Sequence, residues 1–178
     1  ISFTSDDGLR LYARDYAPAS GPARLPVVCL HGLTRNSGDF DELAPQIASL
    51  GRRVIAPDVR GRGHSARDPN PDNYNPVVYA GDVVKLLRDL GIARAVFIGT
   101  SMGGLITMTL AVRHLELIAG AVINDVGPRL DAAAIAPPPS GLPVPPEARL
   151  ALADGKRALA RGQLGDARTK LLLALKLS

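Results

Sequence analysis

A serine stands between glycines in the stretch GTSMGG, residues 99–104, directly after the apolar run 95–98. A serine at a sharp strand-to-helix turn is held above the sheet, and flanking glycines allow the close backbone approach that such a turn needs. The N-terminus of the following helix adds positive potential where an oxyanion forms. Ser101 is therefore a candidate nucleophile.

A nucleophilic serine needs a base, and the chain contains only three histidines. His31 and His64 each lie in a loop after a predicted buried strand, so either is a candidate base, from the same chain or across a subunit interface. His114 lies near the end of the helix after Ser101 and is most simply a surface residue or a partner of the helix dipole. Asp125 lies at the end of the next predicted strand and supplies a carboxylate at the same end of the sheet.

The same polar residues also permit a different chemistry. We expect His31, His64, Asp58 and Asp125 at or just beyond the carboxyl ends of parallel strands, where open α/β sheets place their sites. Two imidazoles and two carboxylates suit zinc or manganese, which would generate hydroxide without a serine–histidine pair. The alternative is therefore a metal-assisted hydrolase of esters or phosphotriesters. A third interpretation is a non-catalytic oligomeric remnant in which GTSMGG is only a turn.

The elements that must position these residues alternate along the chain. Apolar runs predict strands over 9–16, 26–30, 53–57, 95–98 and 117–125, with helices near 39–50, 76–90 and 102–114. Asn75 as N-cap, Pro76 at the first helical position and Gly91 after the last turn delimit the second helix. The alternation of the first strand, 9–16, is typical of an edge-like strand. This order predicts an α/β fold with a mostly parallel sheet flanked by helices.

The character of the sequence changes after about residue 130. The stretch APPPSGLPVPP, residues 136–146, excludes a helix or a central strand, because proline fixes φ and removes a donor. Residues 147–178 are rich in Ala, Leu, Arg and Lys. We therefore predict a core over 1–130, a Pro-rich linker over 131–146, and a C-terminal helical hairpin over 147–178. The hairpin would pack on the core or on another subunit.

Composition excludes several other classes of protein. The net charge is +4, but the arginines are scattered among acids with few aromatics, which does not favour a nucleic-acid-binding surface. No apolar run reaches the ~18 residues of a membrane span, so no membrane partner is expected. Cys29 is the only cysteine, which excludes an internal disulfide and favours a reducing, cytoplasmic location. Its place in an apolar run predicts a buried structural thiol.

Four stretches carry a resemblance to a known family: HGLTRNSGDF (31–40), PDVRGRGHS (57–65), GTSMGG (99–104) and INDVGP (123–128). In this order and spacing they resemble the front of the α/β-hydrolase superfamily, most closely its esterase, lactonase and C–C-hydrolase branch. The resemblance implies that the backbone N–H groups of Leu33 and Met102 form the oxyanion hole. It also implies mainly structural, loop-ordering roles for His31 and His64. Some members of the superfamily place the acid of the catalytic triad at the position of Asp125, which makes Asp125 the candidate acid that orients the histidine.

The resemblance stops near residue 130. The cap domain and the last two strands that usually follow in this family are not recognisable, so the sequence is expected to form a truncated α/β-hydrolase-type sheet. The strand over 117–125 would then be an exposed apolar edge, which predicts a homodimer or a higher oligomer. The leading hypothesis is a hydrolase of activated carboxylic esters or lactones, with a small-molecule ester as substrate and no cofactor.

Overall fold

The computed structural model describes residues 1–125 of the 178-residue chain. The predicted linker over 131–146 and the predicted helical hairpin over 147–178 lie outside the described residues, as does the end of the predicted core. The fold and the site are therefore built from residues 1–125.

Six strands form one sheet in the order β1-β2-β4-β3-β5-β6. They are β1 (Ser2–Thr4), β2 (Arg10–Tyr16), β3 (Val27–Leu30), β4 (Val54–Asp58), β5 (Ala95–Thr100) and β6 (Ile118–Asn124). The four strands from β3 to β6 run parallel to one another, whereas β2 is antiparallel to both β1 and β4. The predicted α/β class with a mostly parallel sheet is confirmed.

Three α-helices cover the two faces of this sheet: α1 (Leu43–Ser49), α2 (Pro76–Asp89) and α3 (Met102–Arg113). Successive strand residues point to opposite faces, so each central strand contributes side chains to the hydrophobic core on both faces of the sheet. Val28 and Phe97 pack with the helices α2 and α3, whereas Cys29 and Ile98 pack with α1. Every residue of β3 and β4 is buried, as expected for parallel strands that are covered on both faces.

The second helix begins and ends where the sequence predicts. The side chain of Asn75 accepts hydrogen bonds from the N–H groups of Val77 and Val78, at 3.0 and 3.1 Å, and Pro76 occupies the first turn. Gly91, with φ of 66°, then ends the helix with its N–H on the carbonyl of Arg88. These caps satisfy backbone groups that helix ends otherwise leave without partners.

The helix predicted over 39–50 is shorter than expected. A 3₁₀ turn occupies Ser37–Phe40, and α1 covers only Leu43–Ser49. Pro45 explains the late start, because a proline is tolerated only in the first turn of a helix, where its missing N–H has no acceptor to lose. The side chain of Asn36 accepts from the N–H of Gly38 at 2.8 Å and thereby stabilises the separate 3₁₀ turn.

The strand predicted to be edge-like is an internal strand. β2 lies between β4 and a short strand, β1, that the sequence reading did not identify. Its alternation reflects the two faces of the sheet instead, since Leu11 and Ala13 are buried while Arg10 is exposed. In the part of the chain that the structure describes, β1 and β6 form the edges, and β6 is mostly half-buried. No helix among these residues is long and apolar enough to cross a membrane.

Candidate active site

Ser101 occupies a strained turn between β5 and α3. Its backbone has φ of 50° and ψ of −112°, a conformation that costs free energy for any residue with a Cβ. The turn is fixed on both sides: the N–H of Ser101 donates to the carbonyl of Asn124 at 2.8 Å, and its own carbonyl accepts from the N–H of Gly104 at 2.9 Å. The serine is half-buried, at the carboxyl end of a central strand.

Two glycines allow the elbow to pack this tightly. A Cβ on Gly99 would lie 2.7 Å from the N atom of Gly104, and a Cβ on Gly103 would lie 2.8 Å from the Cβ of Leu30. The Cβ on Gly103 would also overlap the backbone carbonyl of Leu30. These positions explain physically why the sequence places glycine on both sides of Ser101.

The loop after β3 lies directly beside Ser101. A Cβ built on Gly32 would be 3.8 Å from the Cβ of Ser101. The carbonyl of Gly32 is held by Nδ1 of His31 at 2.7 Å and by the N–H of Arg35 at 3.1 Å. Because a trans peptide is planar, the N–H of Leu33 points opposite to this carbonyl, away from the buried imidazole. His31 thus orients the backbone N–H of Leu33, the predicted oxyanion donor, through its hydrogen bond to the carbonyl of Gly32.

His31 is fully buried, and both of its ring nitrogens are engaged. Its Nε2 accepts from the N–H of Val59 at 3.1 Å, which places the proton on Nδ1, where it is donated to Gly32. Burial lowers the pKa of His31 below its ordinary value of 6.5, because the charged form would be desolvated. This arrangement supports the loop-ordering role that the resemblance implies, and it leaves neither nitrogen available to take a proton from Ser101.

Asp58 and His64 lie in the loop after β4. The buried carboxylate of Asp58 accepts from the backbone N–H of Ser37 at 2.6 Å and from that of His64 at 2.8 Å, so it joins the loops after β3 and β4. The His64 side chain is exposed, and its ring contacts Tyr12 edge-on with centroids 4.9 Å apart. Asp58 is therefore a loop-stabilising carboxylate.

Asp125 directly follows the last residue of β6. Thr100 and Asn124 are paired in register, so Ser101 and Asp125 leave neighbouring strands at the same level. Asp125 is exposed, and its φ of 54° lies in the left-handed region, which favours glycine but which aspartate tolerates better than most residues. The candidate nucleophile and the candidate acid are thus brought to the same end of two adjacent strands.

The predicted metal cluster is not found in the part of the chain that the structure describes. Among residues 1–125, no group of three or more His, Cys, Asp or Glu side chains is placed to hold a metal ion. The physical reason is that His31 and Asp58 direct their polar atoms at backbone N–H and carbonyl groups. The structure does not bring them together with His64 and Asp125 into a ligand set.

The remaining histidine and the cysteine lie away from Ser101. His114 follows the last residue of α3, and its Nδ1 lies 3.4 Å from the carboxylate of Glu116. With 12 residues in that helix and about 1.5 Å of rise per residue, it sits at the opposite end of the helix from Ser101. Cys29 is buried under α1, and burial raises the pKa of its thiol to about 12, so it behaves as an inert core residue.

A buried ion-pair network beside the site was not anticipated from the sequence. Arg60 belongs to the scattered arginines of the sequence, but its side chain is buried and only 1% exposed. It binds both carboxylate oxygens of Asp82 on α2, at 2.6 and 2.8 Å, and it also pairs with Asp7 and Asp68. The only sequence signal for this network is Asp82 itself, an acid at a helix position that otherwise faces the core.

The network also shifts the pKa values of its carboxylates. Burial raises the pKa of Asp82, whereas the Arg60 guanidinium lowers that of Asp7 to about 2.

Comparisons with known proteins agree with this architecture. The profile of the alpha/beta hydrolase fold matches residues 26–169. A 3-hydroxybutyrate-oligomer hydrolase from Cupriavidus necator is 40% identical over 109 residues, which cover 61% of this chain and 37% of that protein. The chain thus spans less than half the length of this curated relative.

Two solved structures show the same similarity. An alpha/beta hydrolase from Novosphingobium aromaticivorans is 49% identical with a TM-score of 0.66, over 72% of this chain and 44% of that one. Est816, an N-acyl homoserine lactone degrading enzyme, is 32% identical with a TM-score of 0.61, over 67% of this chain and 43% of that one. The strained serine elbow, the parallel sheet and these matches lead to one conclusion: the chain belongs to the α/β-hydrolase fold family.

Proposed function

We propose that this protein hydrolyses carboxylic esters or lactones, with Ser101 as the nucleophile. The observation that carries the proposal is the strained backbone of Ser101, held between Gly99 and Gly103 at the start of α3. Strain of this kind persists only where the surrounding packing enforces it, and it is typical of functional positions. The names of the related hydrolases, which act on 3-hydroxybutyrate oligomers and on acyl homoserine lactones, support the substrate class.

The proposed reaction begins when the base takes the hydroxyl proton of Ser101 and the Oγ attacks the ester carbonyl carbon. The carbonyl electron pair moves onto oxygen, and the N–H groups of Leu33 and Met102 donate to that oxyanion. The first N–H groups of a helix have no intrahelical acceptor, so Met102 has a donor to offer. Collapse expels the alcohol with a proton from the base, and water then releases the acid from Ser101. One oxyanion donor of this kind typically contributes about 2.7–4 kcal/mol.

Of the three histidines in this sequence, we propose His64 as the base. Both nitrogens of His31 are bound to the backbone, and His114 lies at the far end of α3. The side chain of His64 is exposed on the loop after β4, where its ring contacts Tyr12, and we propose that it serves Ser101 of its own chain or of a second copy. Asp125 is the proposed acid that orients it.

The test compares hydrolysis of 4-nitrophenyl butyrate by the wild type, Ser101→Ala and His64→Gln. Loss of Ser101 is expected to reduce kcat at least 10³-fold, as removal of a serine nucleophile does elsewhere. Ser49→Ala, which removes an exposed hydroxyl from the end of α1, is the matched control and should retain full activity. Covalent labelling of Ser101 by a fluorophosphonate, read by mass spectrometry, checks the nucleophile independently. Wild-type turnover in Ser101→Ala would contradict the proposal.

A further inference from the structure

Two arginines flank the loop that contains Leu33. The Nε of Arg62 donates to the carbonyl of Leu33 at 2.6 Å, and its Nη1 donates to the carbonyl of Gly61 at 3.2 Å. On the other side of Leu33, the Cγ of Arg35 lies 3.7 Å from the point where a Cβ on Gly32 would stand. That same point is 3.8 Å from the Cβ of Ser101, so the aliphatic stem of Arg35 borders the candidate site. Arg62 is joined to the same loop through its hydrogen bond to the carbonyl of Leu33.

Within the described range, no carboxylate pairs with Arg62. Its hydrogen bonds within residues 1–125 go from Nε to the carbonyl of Leu33 and from Nη1 to the carbonyl of Gly61. Arg35 pairs with Asp39 one helical turn away, but its side chain is 64% exposed, and such a surface pair exchanges readily with solvent or ligand. Arg62 is therefore the arginine that is more available to bind an anionic ligand, and Arg35 is the second.

At the carboxyl edge of the sheet, positive side chains lie on one side of Ser101 and a negative one lies on the other. In the strand order β4-β3-β5-β6, Arg62 follows β4, Arg35 follows β3, Ser101 follows β5 and Asp125 follows β6. Two carboxylates of the described residues lie close to the arginines: Asp39 pairs with Arg35, and Asp58 is buried and bound to two backbone N–H groups. A substrate anion is consequently attracted to the side of Ser101 that carries the arginines and repelled from the side of Asp125.

We propose that Arg62, together with Arg35, binds a free carboxylate of the substrate, so that the preferred substrates are esters of small acids or hydroxy acids that carry such a carboxylate close to the scissile bond. This inference rests on the proposed ester hydrolysis by Ser101. A guanidinium presents planar N–H donors that match the two oxygens of a carboxylate, which an ammonium group does not reproduce. Arg62 is then a specificity-determining residue for this reaction.

The first test compares 3-acetoxybenzoate with its methyl ester, which has the same scissile bond and no charge. The measured quantity is the ratio of kcat/KM for the two substrates, so that differences in intrinsic reactivity cancel between variants. Arg62→Gln is expected to lower the ratio about tenfold, the double variant with Arg35→Gln further, and Arg62→Lys less than Arg62→Gln. Arg53→Gln, in an arginine that is bound to Asp15 at the other end of β4, should leave the ratio unchanged. An equal loss for both substrates would show a merely structural role and overturn the inference.

The second test does not require turnover. Calorimetry gives the Kd of 3-carboxyphenylboronic acid and of its methyl ester, both of which bind a serine hydroxyl. The wild type should bind the acid about tenfold more tightly, and Arg62→Gln should remove this preference. Equal affinities, or binding of neither compound, would overturn the inference. A boronate preference that depends on Arg62 in a protein without esterase activity would support the inference and contradict the proposed function alone.

Discussion

The backbone N–H of Ser101 donates a 2.8 Å hydrogen bond to the carbonyl of Asn124, so the elbow is tied to the last residue of the neighbouring strand. Ser101 and Asp125, which follow the two paired strand ends, are the only non-glycine residues with positive φ in the described range 1–125. Backbone strain is therefore concentrated at one point, where β5 and β6 end. This coincidence is a further reason to test Asp125 as part of the site.

Replacing Asp125 by Asn should lower the catalytic rate without lowering the stability of the fold. Asparagine tolerates the left-handed conformation at φ of 54°, so we expect the free energy of unfolding to change by less than about 0.5 kcal/mol. If Asp125 orients the base, kcat should fall about 10³–10⁴-fold, because the amide neither holds the correct tautomer nor stabilises the imidazolium. Ester hydrolysis and urea denaturation measure the two effects. Full activity in Asp125→Asn would remove Asp125 from the mechanism.

Gly103→Ala should disrupt the elbow. The new Cβ would overlap the carbonyl of Leu30, and backbone atoms of a central strand cannot move aside cheaply. We expect a loss of about 1–3 kcal/mol or more in the free energy of unfolding, together with loss of esterase activity. Thermal and urea denaturation check the prediction.

Gly81→Ala is the matched control for that experiment. Gly81 lies within α2, and a Cβ there would meet no atom within 4 Å. Alanine has the higher helix propensity, so this variant should gain about 0.5–1 kcal/mol. Equal behaviour of the two alanine variants would show that the close approach of Gly103 to Leu30 does not matter for stability.

His31 should make stability depend on pH. Its pKa is lowered by burial, so between the lowered value and the ordinary 6.5 the unfolded chain binds the proton more readily than the folded chain. The contribution of neutral His31 is therefore complete above pH 6.5 and is lost as the pH falls below it. Urea midpoints measured from pH 8 to pH 5 should decline, and less steeply in His31→Gln. Urea midpoints with the same dependence on pH in His31→Gln and in the wild type would contradict this prediction.

Arg60→Met should be among the most destabilising single substitutions in the described residues. The change keeps most of the side-chain volume but leaves the buried carboxylate of Asp82 without its cation. Removal of one partner from a buried ion pair typically costs about 3–5 kcal/mol. Arg88→Met, at an exposed pair with Asp6, is the control and should cost under about 1 kcal/mol. Similar losses in the two variants, measured by urea denaturation, would show that burial of the Arg60 pair is unimportant.

Much of the fold was predictable because local signals and the global fold agree. Asn75, Pro76 and Gly91 delimit α2 by rules that involve only neighbouring residues, and apolar runs mark the buried strands. The helix predicted over 39–50 is longer than α1, because Pro45 is tolerated only in the first turn of a helix. β2 was placed at the edge because alternation reveals which residues face the core, but not how many strands lie beside them.

The sequence by itself determined the class of fold, the place of Ser101 at a strand-to-helix turn and the family resemblance, because glycine spacing and strand periodicity act over a few residues. Only the tertiary structure decided the roles of the polar residues. His31 and Arg60 are distinguished from exposed histidines and arginines by partners such as Val59 and Asp82, which lie more than twenty residues away. The pKa and the availability of a side chain depend on such partners and on burial, and neither is encoded in the residues next to it.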